Sequence, residues 1–369
     1  MNQVLLVVAV LLLLLVFFFL FRVAALVSVY IWRNKRQGAS GNFNSWLFLM
    51  FFIAGLIAIY LFYRSVRPDL LGEPSTEHGY WLDSSAKLTF VLILIVFFAT
   101  QAALALFMIL YRYDEHRRAF FYPMNLKLEI VWTAIPLIVF MGLFLNSYVT
   151  WTKIMEIPPD DPVLVEVTGM QFNWIARYPG ADRKFGRVNI RYINQQNVTG
   201  LDLSDPASLD DFVTGEIRIP VNRNIIFKIR SLDVVHSVNI PHFRLKMDAV
   251  PGMPTQFAFK PIRTTNAKKM ETSNAWFNFS IYCAELCGRG HYNMKTDVVV
   301  DEEDVYEKWY KEQGSWLARN KEYLRYVPEE YRSRAKDIID NTPPETTGED
   351  ADFFYDNSQK LVDENGPID

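Results

Sequence analysis

Four long apolar runs near the start of this chain constrain it more than any other feature. Val4 to Phe21 is continuously apolar, and after Arg22 the apolar character resumes to Trp32. Trp46 to Tyr63, Leu88 to Tyr111 and Ile130 to Trp151 carry no charged side chain. At ~1.5 Å of rise per residue, each run reaches or nearly reaches the ~30 Å of a hydrocarbon core. Four transmembrane helices are therefore expected, at about 4–32, 46–63, 88–111 and 130–151. The first could be read as a signal peptide. Its start, Met-Asn-Gln, has no positive side chain and no small-residue cleavage pattern follows, so a retained span is expected. Arg22 inside that run either snorkels to the interface or has a functional role.

Loop charge orients these spans. Arg33, Lys35 and Arg36 follow the first run, and Arg112, Arg117, Arg118 and Lys127 follow the third. The loop after the second run balances its bases with Asp69, Glu73, Glu77 and Asp83. An excess of bases marks the cytoplasmic side, which puts the N-terminus and the large C-terminal region outside.

Past Trp151 the pattern changes to short alternating runs. Val163–Val167, Gln171–Arg177, Gly215–Ile219, Ile225–Arg230, Val234–Ile240, Thr255–Phe259, Trp276–Tyr282 and Lys295–Val300 read as strands. Gly, Pro and Asn break them, as at Pro179-Gly180 and Pro251-Gly-Met-Pro254, so a sandwich or barrel is expected over about 158–302. Asp202–Asp211 reads as a polar insertion in a loop, and Asn197-Val-Thr199 fits a common glycosylation pattern. From 303 to 340 charged residues alternate with Trp309, Tyr310, Trp316 and Leu317, as in amphipathic helices. Residues 341–369 are rich in Pro, Thr, Gly and acids, the composition of a mobile tail. The 369 residues and net charge of −3 suit two domains, and no nucleic-acid partner is expected.

Both cysteines fall in one stretch, Cys283-Ala-Glu-Leu-Cys287, followed by His291 and Met294, with His236 further upstream in Asp-Val-Val-His-Ser. A bare Cys-x-x-x-Cys is more often a disulfide or two unrelated thiols. Thiolate, imidazole and thioether together point to a metal, and the Met favours copper over zinc, although Cys2His2 zinc stays open. A blue-copper centre uses a single Cys, so this set has one too many. Two thiolates could instead bridge two coppers. No Cys-x-x-Cys-His occurs, so no covalent c-type haem is expected.

These residues resemble the binuclear copper A motif of cytochrome c oxidase subunit II. The likeness extends through Leu245-Lys-Met-Asp-Ala-Val-Pro-Gly252 and covers roughly residues 85–310. It implies an α + β membrane protein: transmembrane helices, then an all-β cupredoxin Greek-key barrel on the outer side, then a helical and flexible C-terminal tail. It implies that Cys283 and Cys287 bridge two coppers, that His236 and Met294 complete one, and that His291 and the Glu285 carbonyl complete the other. The Glu285 carboxylate would help to bind magnesium at the interface with the catalytic subunit. Gly169-Met-Gln-Phe172-Asn-Trp174 matches the family's aromatic segment near the copper. Many members have Trp where this chain has Phe172, so a donor other than free cytochrome c fits, such as a haem domain attached to a partner complex. Trp174 matches a second aromatic position, or is a core residue. Glu129 matches a residue near a proton-path entrance, or is an interfacial acid beside Lys127. Lys246 and Asp248 match the subunit junction, or form a surface ion pair.

The family reading implies partners: a catalytic haem–copper subunit I, other oxidase subunits, a c-type cytochrome and membrane lipid. Electrons would pass to haem for reduction of oxygen to water with proton pumping, in a bacterial plasma membrane. A copper A subunit of a nitric oxide reductase, or a membrane-tethered copper-binding protein, are the alternatives. The two extra N-terminal spans have no chemistry in the sequence.

Overall fold

The computed structural model describes residues 18–19, 21–27, 29, 37–66, 72–112, 114, 116–159 and 161–342. Among these, three helices are long and apolar enough to cross a membrane. They are α1 (Gln37–Val66), α2 (Glu77–Leu110) and α3 (Leu126–Met155). Four spans were expected. Most of the first, 4–32, lies outside the described residues, of which 21–27 are helical with Arg22 exposed.

The helix starting at Glu77 begins well before the apolar run at Leu88. Hydropathy reports only the part of a helix that lies in lipid. With 34 residues, α2 is about 51 Å long at ~1.5 Å per residue, more than a bilayer core needs. Its polar first turns join the β-structure instead. Asp83 accepts from Arg244 at 2.8 Å, and the His78 ring lies 5.3 Å from that of Phe257. The described chain accordingly divides into two compact units. One holds α1, most of α2 and the first half of α3; the other holds the first turns of α2, the end of α3 and everything after it.

The second unit is a sandwich of two five-stranded sheets. Its strands are β1 (Val163–Met170), β2 (Asn173–Tyr178), β3 (Phe212–Thr214), β4 (Ile217–Pro220), β5 (Ile225–Ser231), β6 (His236–Ile240), β7 (Leu245–Ala249), β8 (Thr255–Phe259), β9 (Phe279–Cys283) and β10 (Lys295–Asp301). One sheet runs β3-β2-β1-β5-β8 and the other β4-β10-β9-β6-β7, with β1 parallel to β5 and β10 parallel to β4. Val165, Val167, Phe227, Val238, Phe279 and Ile281 fill the space between them and are inaccessible to solvent. β3 and β7 were not anticipated. β3 has three residues, too few to show a period. β7 does alternate, buried at Leu245 and Ala249 and exposed at Lys246 and Asp248, but its residues read first as a motif.

The loop insertion is not simply polar. Leu201, Leu203 and Leu209 are buried, and with Trp316, Leu317, Val327 and Ala335 they make a second apolar core. The insertion and the C-terminal extension thus fold on each other, although more than a hundred residues separate them. The extension comprises the helices α5 (Glu303–Glu312), α6 (Trp316–Arg319) and α7 (Arg332–Asp340), after α4 (Thr265–Thr272) in the β8–β9 connection. Asn197 is buried, with its amide bonded to both backbone groups of Leu201, so the glycosylation pattern there is a structural turn. The expected tail lies outside the described residues from 343 onward.

Candidate metal centre

Sheet order brings the donor residues together. β6 opens with His236, β9 closes with Cys283, and Met294 directly precedes β10. Val238 pairs with Cys283, and the Cys283 N–H donates to the Met294 carbonyl at 3.1 Å, so three adjacent strand ends face one point. The intervening loop carries Glu285, Cys287 and His291. Ala284 N–H donates to Ser237 O at 3.0 Å, which anchors that loop where it leaves the sheet.

The two sulfurs lie 3.7 Å apart and both thiols are free, too far for the ~2.05 Å of a disulfide. His236 Nδ1 is 3.8 Å from Cys283 Sγ, and His291 Nδ1 is 3.7 Å from Cys287 Sγ. Met294 Sδ lies 3.7 Å from Cys287 Sγ, and the Glu285 carbonyl 3.1 Å from Cys283 Sγ. His236, Cys283 and Cys287 already form a group able to hold a metal ion. A metal–sulfur bond is ~2.3 Å, so an ion between thiolates at this spacing can bond to both. Soft sulfur with imidazole is a donor set that suits copper or zinc, and the thioether favours copper.

Burial keeps the site dry: His236, Cys283, Cys287 and Met294 are buried, while His291 is only partly covered. Burial, together with the adjacent Cys283 thiol, pushes the Cys287 thiol up to about 12, so metal must displace its proton. Asp233 holds the far side of His236, 2.8 Å from Nε2. A carboxylate there favours the tautomer with hydrogen on Nε2, which leaves Nδ1 turned towards the sulfurs with its lone pair. Burial works against the charge on Asp233, but hydrogen bonds from His236 and from the Gln171 and Val234 amides hold its carboxyl below the usual range.

The aromatic segment also arrives here. Trp174 has no solvent exposure and meets the His236 ring edge-on at 5.9 Å. Gly169 makes room for both, because a Cβ there would lie 3.0 Å from each ring. Phe172 lies over the ligand loop, where a Cβ on Gly290 would come within 2.4 Å of its Cγ. Gly288, at φ +132°, faces the same ring. Sequence reasoning missed Asp233, Gln171 and these glycines. Asp233 stood three residues before His236, the one available signal. Glu285 is exposed. Lys246 and Asp248 form a half-exposed ion pair at 3.0 Å, with Ser237 also donating to Asp248. His242 sits in a turn against Phe277 and Phe279. Glu129 belongs to the helical unit. It accepts from the Asn125 N–H at 3.4 Å while the Asn125 side chain caps Leu128, an N-terminal cap for α3.

A β-sandwich that ends in two thiols, two imidazoles and a thioether, joined to helices long and apolar enough to cross a membrane, defines the class: a membrane protein with a cupredoxin-like domain whose side chains could hold a metal. The family described as cytochrome c oxidase subunit II, periplasmic domain, matches residues 163–302. The alternative cytochrome c oxidase subunit 2 of Bradyrhizobium diazoefficiens is 33% identical over 273 residues, spanning 73% of this chain and 92% of that one. Cytochrome c oxidase subunit 2 of Cereibacter sphaeroides is 28% identical over 65% of this chain and 77% of its own length. A solved periplasmic domain of subunit II from Bradyrhizobium japonicum covers 42% of this chain and 95% of that domain, at 26% identity and a TM-score of 0.29. The chain belongs to the cytochrome c oxidase subunit II family. Its cluster of cysteine, histidine and methionine fits a copper A site in such a domain.

Proposed function

We propose that this chain is the subunit through which electrons enter a haem–copper terminal oxidase, with a binuclear copper A centre at the end of β6, β9 and β10. The donor count carries the reading. Four donor groups converge around two thiols 3.7 Å apart, six donors in all and more than the four that one tetrahedral ion uses. Cys283 and Cys287 would bridge both ions. His236 and Met294 would complete one, and His291 and the Glu285 carbonyl the other. When bound, the copper pair supplies a one-electron carrier whose charge is shared between two metals. The part of the protein is to hold six donors still and dry, so that little moves when the electron comes or goes. Strand ends fix the ligands at both edges of the loop, and Asp233 fixes the His236 ring.

Electrons would arrive from a c-type cytochrome past Phe172 and Trp174. The phenyl ring at 172 suits a haem domain attached to a partner complex. They would leave singly for haem in a catalytic subunit I, where oxygen becomes water and protons are pumped. The exposed Glu285 carboxylate would reach a magnesium ion shared with that subunit, and Glu129 would mark a proton-path entrance. The helices of residues 1–151 would lie among lipid and other oxidase subunits of a bacterial plasma membrane. The unit at 158–302 would stand on the periplasmic side, with 303–340 an extension of it and 341–369 an acidic tail.

Copper counting and paramagnetic resonance on the full-length chain test this. Two coppers sharing one unpaired electron, with splitting from two equivalent nuclei and no such signal in Cys287→Ser, are expected. A single-copper spectrum, or tight zinc without copper, refutes the reading.

A further inference from the structure

The β1–β2 turn has two residues, Gln171 and Phe172, because Met170 pairs with Asn173. Neither supplies one of the six donors, yet both reach the segments that do. The Gln171 backbone N–H donates to Asp233 Oδ2 at 2.7 Å, and the other oxygen of Asp233 lies 2.8 Å from His236 Nε2. The Gln171 side-chain amide crosses to the second segment and donates to the Cys287 carbonyl at 2.6 Å. A carbonyl can only accept, so the amide nitrogen must face it. Behind this bond, the Phe172 ring fills the space that Gly288 and Gly290 leave open. One residue therefore ties the His236 segment to the Cys287 segment, which the chain separates by about fifty positions.

We infer that Gln171 is a positioning residue: it holds the Cys287 segment at a set distance from His236, so that the donors are in place before metal arrives. The inference rests on the copper reading for its purpose, but the restraint exists in the metal-free chain. Without it, among the described residues, the backbone hydrogen bonds that tie the loop after Cys283 to the sheet lie at its ends, from Ala284 to Ser237 and from Cys283 to Met294, and the Phe172 ring holds its middle by packing alone. The two thiols, 3.7 Å apart, could then drift apart or close on each other.

Gln171→Met keeps the length of the side chain and removes the donor. Gln171→Glu keeps the length and sets an acceptor against the Cys287 carbonyl. Both are compared with the unaltered full-length chain in two measurements. In the metal-free chain, closure of Cys283 and Cys287 by oxidised glutathione is timed; the two thiols give up two electrons and two protons, and one glutathione disulfide becomes two thiols. Closure several-fold faster in Gln171→Met is expected. In the copper-loaded chain, transfer of copper to a chelator should be roughly 10-fold easier in Gln171→Met and up to about 100-fold in Gln171→Glu, the range seen when a group supporting a ligand is lost. The copper hyperfine pattern should also become unequal between the two nuclei, which a general loss of stability would not cause. Unchanged closure in both variants overturns the inference. Faster closure in a chain whose unaltered form never yields the two-copper signal upholds Gln171 and refutes the copper reading instead.

Discussion

The metal-bearing end of the second sheet and the outer face of the first are both polar and both buried, yet they are opposite in design. At the metal end the polar atoms are poorly matched to one another. The two thiols face each other at 3.7 Å, and imidazole nitrogens face sulfur at 3.7 and 3.8 Å, contacts in which sulfur is only a weak donor and acceptor. Such a set needs an outside partner. On the outer face the groups satisfy each other. Arg177 on β2 donates to both oxygens of Glu166 on β1, at 3.0 and 2.8 Å, and to Asp211 at 2.6 Å and Gly186 O at 2.9 Å. Arg230 on β5 donates to Glu166 as well, at 3.0 Å. Two cations face two acids there, although one Asp211 oxygen and the Thr168 hydroxyl have no hydrogen-bond partner. Buried polarity by itself therefore does not mark a functional site; the kind of donor does, soft sulfur with imidazole at one end and charged pairs of oxygen and nitrogen on the other face.

The strongest way to break this contrast is at Arg177. Arg177→Met keeps the packed stem and strands Glu166 and Asp211 without their common cation. Loss of one partner from a buried ion pair typically costs about 3–5 kcal/mol, and denaturant unfolding should show it. The copper spectrum of the folded fraction should not change. A changed spectrum would mean that the two regions are one system.

Trp316 comes next. Its backbone N–H donates to Asp211 O at 2.7 Å and its ring packs among the buried leucines of the insertion. Trp316→Ala should cost about 3 kcal/mol, the low end for a buried aromatic, because this core is small. Proteolysis should quicken in residues 313–342 while hydrogen exchange in β5 and β6 stays slow. Uniform loss across both would show that the extension is part of the main core.

What was legible in the sequence follows the same division. Cys283, Glu285, Cys287, His291 and Met294 lie within twelve positions, and their chemical identity is rare enough to read directly. Eight strands showed through their alternation. The outer face did not show, because Glu166 and Thr168 alternate with Val165 and Val167 as any solvent-facing strand residues would. The Glu166 network is completed by Gly186 and Asp211, which bond to Arg177, and that depends on contacts between distant segments. Gln171 was hidden for the same reason: its partners, Asp233 and Cys287, are 62 and 116 positions away. Helix α2 was shortened because its first turns serve the β-structure and not the lipid.

A matched pair of glycines sharpens the comparison at a smaller scale. A Cβ on Gly290 would meet Phe172 Cγ at 2.4 Å, and one on Gly186 would meet Ser208 Cα at 2.3 Å. Both substitutions to Ala overfill a packed site, at about 1–3 kcal/mol each. Gly290→Ala should in addition alter the copper spectrum, because Phe172 must move off the ligand loop. Gly186→Ala should leave that spectrum alone. Equal spectral effects would remove the distinction between the two regions.

The smallest effect expected is a slope with pH. Burial pushes the Asp211 carboxyl up to about 7, even beside Arg177. Arg177 is shared with Glu166, one Asp211 oxygen has no hydrogen-bond partner, and Asp210 adds a like charge. Glu166 is also buried, but Arg177 and Arg230 together hold it below the usual carboxylate range. The two acids then act in opposite senses. A raised pKa in the folded chain means that folding retains a proton that the unfolded chain releases near 4, so stability falls as pH rises from about 4 to about 7. For Glu166 the sign reverses, and its contribution is lost only as pH drops below the ordinary carboxylate range. Between pH 5 and 7 Asp211 contributes a downward slope of no more than about 1.4 kcal/mol per pH unit, while His242, whose pKa burial lowers, contributes in the opposite sense. Stability measured across that window should fall more steeply, or rise less, in the unaltered chain than in Asp211→Asn, which keeps the shape and cannot ionise; the difference between the two slopes is the Asp211 contribution. The metal-free chain should be used, so that proton release from Cys287 on metal binding does not enter. Identical slopes in the unaltered chain and Asp211→Asn would mean that Asp211 does not titrate in this window, and the outer face would then keep both of its acids charged.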